Sequence, residues 1–109
     1  MKLEIGKEFR ISLSKLANAF GGLGKGVGGV QVVEQGVRGF DGRLIDGQKS
    51  LVLVDDDEYE GFVCCDGSTV EVVDVDRWGL VTLRTVDDRS DERDFELEED
   101  DAIEALEEA

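Results

Sequence analysis

The sequence predicts a mainly β domain: a small antiparallel barrel or sandwich of SH3-like or OB-like type, with a short N-terminal helix, a glycine-rich loop and an acidic helical arm. Three observations carry this. Short apolar runs recur from Val30 onward and are separated by turn residues. Asp46-Gly47 and Asp66-Gly67 supply two-residue turns whose central positions tolerate positive φ. The 109 residues are enough for one hydrophobic core but not for two.

The elements follow in chain order. Leu3, Ile5, Phe9, Ile11 and Leu13 alternate with polar residues and predict an extended N-terminal strand. Leu13, Leu16, Ala17 and Phe20 then share one helical face, with Ser12 or Ser14 as cap and Gly21 as stop. Residues 21–29 hold six glycines and predict a loop that is mobile in isolation, because glycine loses the most entropy on ordering. Strands are predicted at Val30 to Val37, Arg43 to Ile45 and Ser50 to Val54, with a turn at Asp46-Gly47. Tyr59 to Cys65 and Thr69 to Val75 are expected to pair as a hairpin across Asp66-Gly67, and Gly79 to Val86 is the last strand. The barrel domain therefore covers residues 1–86. Residues 87–109 form the arm: a polar linker to Asp94, a brief alternation at Phe95 and Leu97, and a short helix capped by Asp100 or Asp101 with Ala102, Ile103, Leu106 and Ala109 on one face.

Charge is distributed unevenly along the chain. Residues 1–54 carry eight Lys/Arg against five Asp/Glu, a net of +3, whereas residues 55–109 carry four against 22, a net of −18. Acid on this scale repels nucleic-acid phosphate and favours salt, cations or a basic partner. No apolar run approaches the roughly 20 residues of a membrane span, and Met1 to Glu8 has no apolar segment of the secretory type. The chain is expected to be made and kept inside a cell, or packaged with something assembled there, with no membrane and no direct nucleic-acid contact. Histidine is absent, which removes the commonest general base. Cys64 and Cys65 are adjacent and point to opposite faces of a strand, so they read as small hydrophobes near a turn rather than as a disulfide or a zinc site.

Several motifs invite a chemical reading and fail it. Residues 24–29 fit G-x-G-x-x-G letter by letter, but a helix precedes them and a strand follows, the reverse of the dinucleotide fingerprint. Asp55, Asp57, Asp74 and Asp76 are the residues nearest to a cation site, yet their spacing is not that of an EF-hand and Tyr59 falls on an oxygen-ligand position. The chain is thus expected to hold no resident metal or cofactor and no catalytic residue. The candidates for contact are apolar residues on loops and arm: Leu23 and Val27 in the glycine loop, Trp78 with Arg77 stacked on it, and Phe95, Leu97, Ile103 and Leu106.

With 27 Asp/Glu, only five lysines and Val/Gly/Asp-rich strands, the composition resembles that of proteins from extreme halophiles, haloarchaea or their tailed viruses. The resemblance matches no family motif and transfers no functional residue. It implies a surface on which carboxylates hold water and cations while molar salt screens their repulsion. Together these readings lead to the expectation of a non-enzymatic structural subunit that contacts other protein subunits, as a homo-oligomer within a larger assembly. A virion component such as a capsid decoration, head–tail connector or stopper fits best. The alternative is an acidic DNA mimic, or another soluble binding module that occupies a basic protein surface.

Overall fold

The computed structural model describes residues 2–27, 29–38, 44–56, 58–86 and 94–108. They form nine strands and two helices: β1 (Glu8–Ile11), α1 (Leu13–Phe20), β2 (Gly26–Val27), β3 (Val30–Arg38), β4 (Leu44–Asp55), β5 (Glu58–Cys65), β6 (Thr69–Val75), β7 (Leu80–Thr85), β8 (Asp94–Glu98), α2 (Glu99–Ala105) and β9 (Leu106–Glu108). The fold is mainly β, built from two antiparallel sheets ordered β8-β7-β6-β1-β9 and β2-β3-β4-β5. The sheets stay separate and do not close into a barrel, which corrects the barrel form of the expectation. Neither described helix is long and apolar enough to cross a membrane.

One core serves both sheets and both helices. The five-stranded sheet turns Phe9 and Ile11 of β1, Val70 and Val72 of β6, Val81 and Leu83 of β7, and Phe95 and Leu97 of β8 into it. The period-2 alternation of each strand sends Asp94, Glu96 and Glu98 to solvent from the same short stretch that buries Phe95 and Leu97. From the other sheet come Val30, Val32, Leu51, Val63 and Cys64. Helix α1 adds Leu13, Leu16, Ala17 and Phe20, and α2 adds Ala102 and Ala105. Cys64 is buried and Cys65 half-buried, and neither forms a disulfide among the described residues.

The helix caps are those the sequence predicts. The Ser12 side chain accepts from the Lys15 amide, and Gly21, at φ +93°, ends α1 in a left-handed conformation that a side chain rarely adopts. The glycine-rich segment beyond it differs from the expected free loop. Its backbone folds back on β3, with Gly24 N–H donating to Val32 O at 2.9 Å and Gly26 and Val27 pairing with Gln31 and Val30. These bonds within the chain tie residues 24–27 to β3.

Three further expectations are corrected. Asp66-Gly67 is not a hairpin turn between paired strands: β5 lies in the four-stranded sheet and β6 in the five-stranded one. The turn carries the chain between sheets and is bonded to the β1–α1 junction. Gly67 N–H donates to Ile11 O at 2.9 Å, Ile11 N–H to Ser68 O at 3.0 Å, and Leu13 N–H to Asp66 Oδ1 at 2.8 Å. Turn chemistry specifies a reversal of the chain, not which strands then pair. Asp46-Gly47 is no turn either, because β4 runs unbroken through it; the pairing shifts between Gln35 and Val37, so that Asp46-Gly47 forms a bulge opposite the single residue Gly36. The N-terminal strand is shorter than its alternation suggested. Gly6 at φ +90° interrupts it, leaving Ile5 exposed, and Leu13 opens the helix.

The largest correction concerns the C-terminus. The linker residues 87–93 and Ala109 lie outside the described residues, but 94–108 are not an appended arm. Strands β8 and β9 are the two outer strands of the five-stranded sheet, and Ser12 N–H donates to Ala105 O at 2.8 Å. Phe95, Leu97 and Leu106 are buried. The abundance of acid masked the strand, since every acid of β8 sits on its outward face. Full burial of these three side chains contributes roughly 4–9 kcal/mol, about the whole stability of an ordinary domain. A chain ending at residue 93 is therefore expected to lose cooperative unfolding in a circular-dichroism melt; a sharp transition in that truncation would show that the segment is dispensable.

Candidate functional site

Trp78, the only tryptophan, sits in the turn between β6 and β7 and is 74% exposed. The turn that carries it is tightly bonded. Asp76 Oδ1 accepts from Trp78 N–H at 2.8 Å and from Leu80 N–H at 2.9 Å, while Asp76 N–H donates to Leu80 O at 2.9 Å. An Asp ahead of a turn closes it in this way because its short carboxylate reaches amides two and four residues on. Gly79 completes the turn at φ +86°, where a Cβ would meet no neighbour but the backbone itself would be strained. Its carbonyl accepts from the Glu99 amide at 2.7 Å, which ties the turn to the first residue of α2.

An open cleft of about 570 Å³ lies beside the indole, lined by Trp78, Gly79, Leu80, Glu98, Glu99 and Asp100. One side is apolar, from Trp78 and the partly exposed Leu80. The other is acidic and follows from the local fold, since α2 begins with Glu99, Asp100 and Asp101 and has no side-chain cap. Carboxylates suit that position because the first amides of a helix carry partial positive charge. Burial pushes the Asp101 carboxyl above the ordinary aspartate range, and the nearby charges of Glu98 and Asp100 push it the same way. The Arg77 guanidinium stacks over the indole, 4.3 Å from its centroid. An aromatic face bordered by carboxylates has the chemistry to receive a cationic side chain with an apolar stem.

The other contact candidates divide. Leu23 and Ile103 are exposed at 45% and 44%. The Val27 backbone pairs with Val30 in β2, and its side chain lies outside the described residues. Phe95, Leu97 and Leu106 belong to the core and cannot face a neighbour. Tyr59, although 67% exposed, stands on β5 in the other sheet from Trp78. Of the carboxylates nearest to a cation site, Asp57 lies outside the described residues, Asp55 ends β4, and Asp74 and Asp76 belong to the far end of β6. Asp76 uses Oδ1 on the turn amides. Among the described residues no three potential metal ligands gather. Sequence reasoning missed Leu80, Glu98, Glu99 and Asp100 as neighbours of Trp78. The spacing Asp76-x-x-Gly79 was the visible sign of the clamped turn, but the approach of α2 has no local sign.

Comparison of this chain with protein-family models, curated proteins and solved structures finds no match. The reading of the site therefore rests on its geometry.

Replacing Asp76 with Ala removes the acceptor of two amides and is expected to lower stability by about 1–2 kcal/mol, or roughly 5–10 °C in Tm. Asp76→Asn keeps an acceptor oxygen and should recover most of that loss. Equal losses in thermal melts of the two variants would show that the carboxylate acts by charge and not as the turn's acceptor.

Proposed function

We propose that this chain is a non-enzymatic assembly subunit that docks on other protein subunits through the Trp78 turn. The observation that carries this is the exposure of the lone tryptophan on a backbone held by hydrogen bonds from both sides. A large indole left 74% in water gains more from burial than almost any other exposed side chain, and a rigid frame lets it be buried without ordering cost. Tryptophan and arginine are also the residues that dominate binding energy in interfaces, and here they are stacked together.

The acidic surface argues for docking by side chains rather than by strand addition. The edge strand β5 carries Glu58 and Glu60 and two register shifts against β4, and the opposite sheet ends in the three-residue β9. Charge, bulges and shortness all discourage pairing with another chain's edge. The composition favours a high-salt setting. The assembly we propose for it is the particle of a haloarchaeal tailed virus, where a small β subunit serves as decoration, connector or stopper.

Trp78 is its own reporter. In a concentration series in molar KCl, the protein is expected to associate in sedimentation while its tryptophan emission moves to the blue, and Trp78→Ala is expected to remain monomeric with an unchanged melt. Dissociation should follow transfer to low salt. Association in which the indole stays exposed, or which survives Trp78→Ala, would contradict docking through this turn. A protein that associates only with a basic DNA-binding protein, and is displaced by DNA, would instead be a DNA mimic.

A further inference from the structure

We infer that the cleft beside Trp78 takes an arginine- or lysine-bearing segment of a partner protein. This rests on the docking reading above and names the chemistry of the partner.

The cleft has two walls. Trp78 and Leu80 form an apolar side that a long aliphatic stem can cover. Glu98, Glu99 and Asp100 border the other side, and among the described residues no basic side chain lines the cleft. The exposed ion pairs of the five-stranded sheet lie elsewhere: Lys7 with Glu108 at 3.3 Å, Lys15 with Glu107 at 2.9 Å and Arg84 with Asp94 at 2.8 Å. Glu98, Glu99 and Asp100 have no hydrogen bond or ion pair of their side chains among the described residues. A cation that lays its stem along Trp78 brings its charge toward these carboxylates.

The ring already shows which ligand it accepts. Arg77 places its guanidinium 4.3 Å from the indole centroid, well within the distance at which the ring's negative face attracts a cation. The stack shows that the indole accepts a guanidinium, and Arg77 is not among the residues that line the cleft. A second copy of this chain is the less suitable occupant. Each copy carries a net charge of −15, and the mutual repulsion of two copies opposes contact wherever salt does not screen it.

The placing of the carboxylates beside the indole gives the proposal a signature that adsorption to net charge would not share. The probe is a fluorescently labelled eight-residue peptide of alternating arginine and glycine, followed by anisotropy against the full chain near 0.15 M salt, about the physiological ionic strength. Trp78→Ala is expected to weaken binding about tenfold, within the range of a cation–aromatic contact. Replacing Glu98 and Glu99 with Gln and Asp100 with Asn should weaken it by about tenfold or more, whereas Asp55→Asn with Glu58→Gln and Glu60→Gln, which removes the same charge from the other sheet, should weaken it less than about threefold. Arg77→Ala is expected to tighten binding by about threefold, since it removes a like charge next to the cleft. Equal weakening by the two charge-removing triple variants would show adsorption to net charge alone and overturn the inference. So would weaker binding in Arg77→Ala. If the peptide fails to bind while the protein self-associates through Trp78, the docking reading stands and the basic partner falls. Peptide binding without self-association leaves the basic partner standing and excludes self-assembly.

Discussion

The fold depends on one crossing of the chain. Between β5 and β6 the polypeptide leaves one sheet for the other, and it does so over Asp66-Gly67-Ser68, bonded at three points to Ile11 and Leu13. Those bonds fix β1 beside β6 and start α1 in the same place, since the Leu13 amide, at the first position of the helix, finds its acceptor in Asp66. With β1 held there, its free edge accepts β9, and α2 is drawn across to bring Glu99 against the Trp78 turn. A small chain with a single core has little other means of holding two open sheets together. Its core is continuous because the crossing and both helices close the space between them.

The charge asymmetry takes on a different meaning in three dimensions. The weakly basic first half of the chain does not form one face. Its β1 lies inside the five-stranded sheet, between β6 and the acidic β9, while its β2, β3 and most of β4 build the other sheet. Lys7 and Lys15 meet Glu108 and Glu107, so part of the N-terminal charge offsets the C-terminal acid locally. Exposed pairs of this kind add little stability each, but they reduce repulsion where the chain ends are brought together. Glu98, Glu99 and Asp100, which border the cleft, have no ion pair among the described residues, so part of the acidic excess is concentrated beside Trp78.

Local pattern was readable where one element suffices to define it. Helix α1 has its apolar face, its serine cap and its glycine stop within Ser12 to Gly21, and the structure uses all three. The strands from Val30 to Thr85 were visible as apolar runs. What the sequence could not show were relations between distant segments: that Asp66-Gly67 joins two sheets, that β9 pairs with β1, and that α2 lies against the turn at residue 79. The C-terminal error had a physical cause. Alternation in Phe95-Glu96-Leu97 is the mark of a half-buried strand, but the density of acid around it favoured an arm held in water. The same limit hid the site. Trp78 stood out as the lone tryptophan, whereas its cleft is assembled from the ends of β7 and β8 and the start of α2.

Trp78 is displayed on a frame of hydrogen bonds, and the C-terminal segment supplies half of that frame. Native-state hydrogen exchange at the Trp78, Leu80 and Glu99 amides tests the rigidity of this frame most directly, because these three donors make the bonds to Asp76 and Gly79 that hold the turn. All three are expected to exchange slowly, with Glu99 and Leu80 protected alongside the strands they adjoin. Exchange of the three at the rate of an open loop, in a protein whose β6 and β7 amides remain protected, would contradict that rigidity.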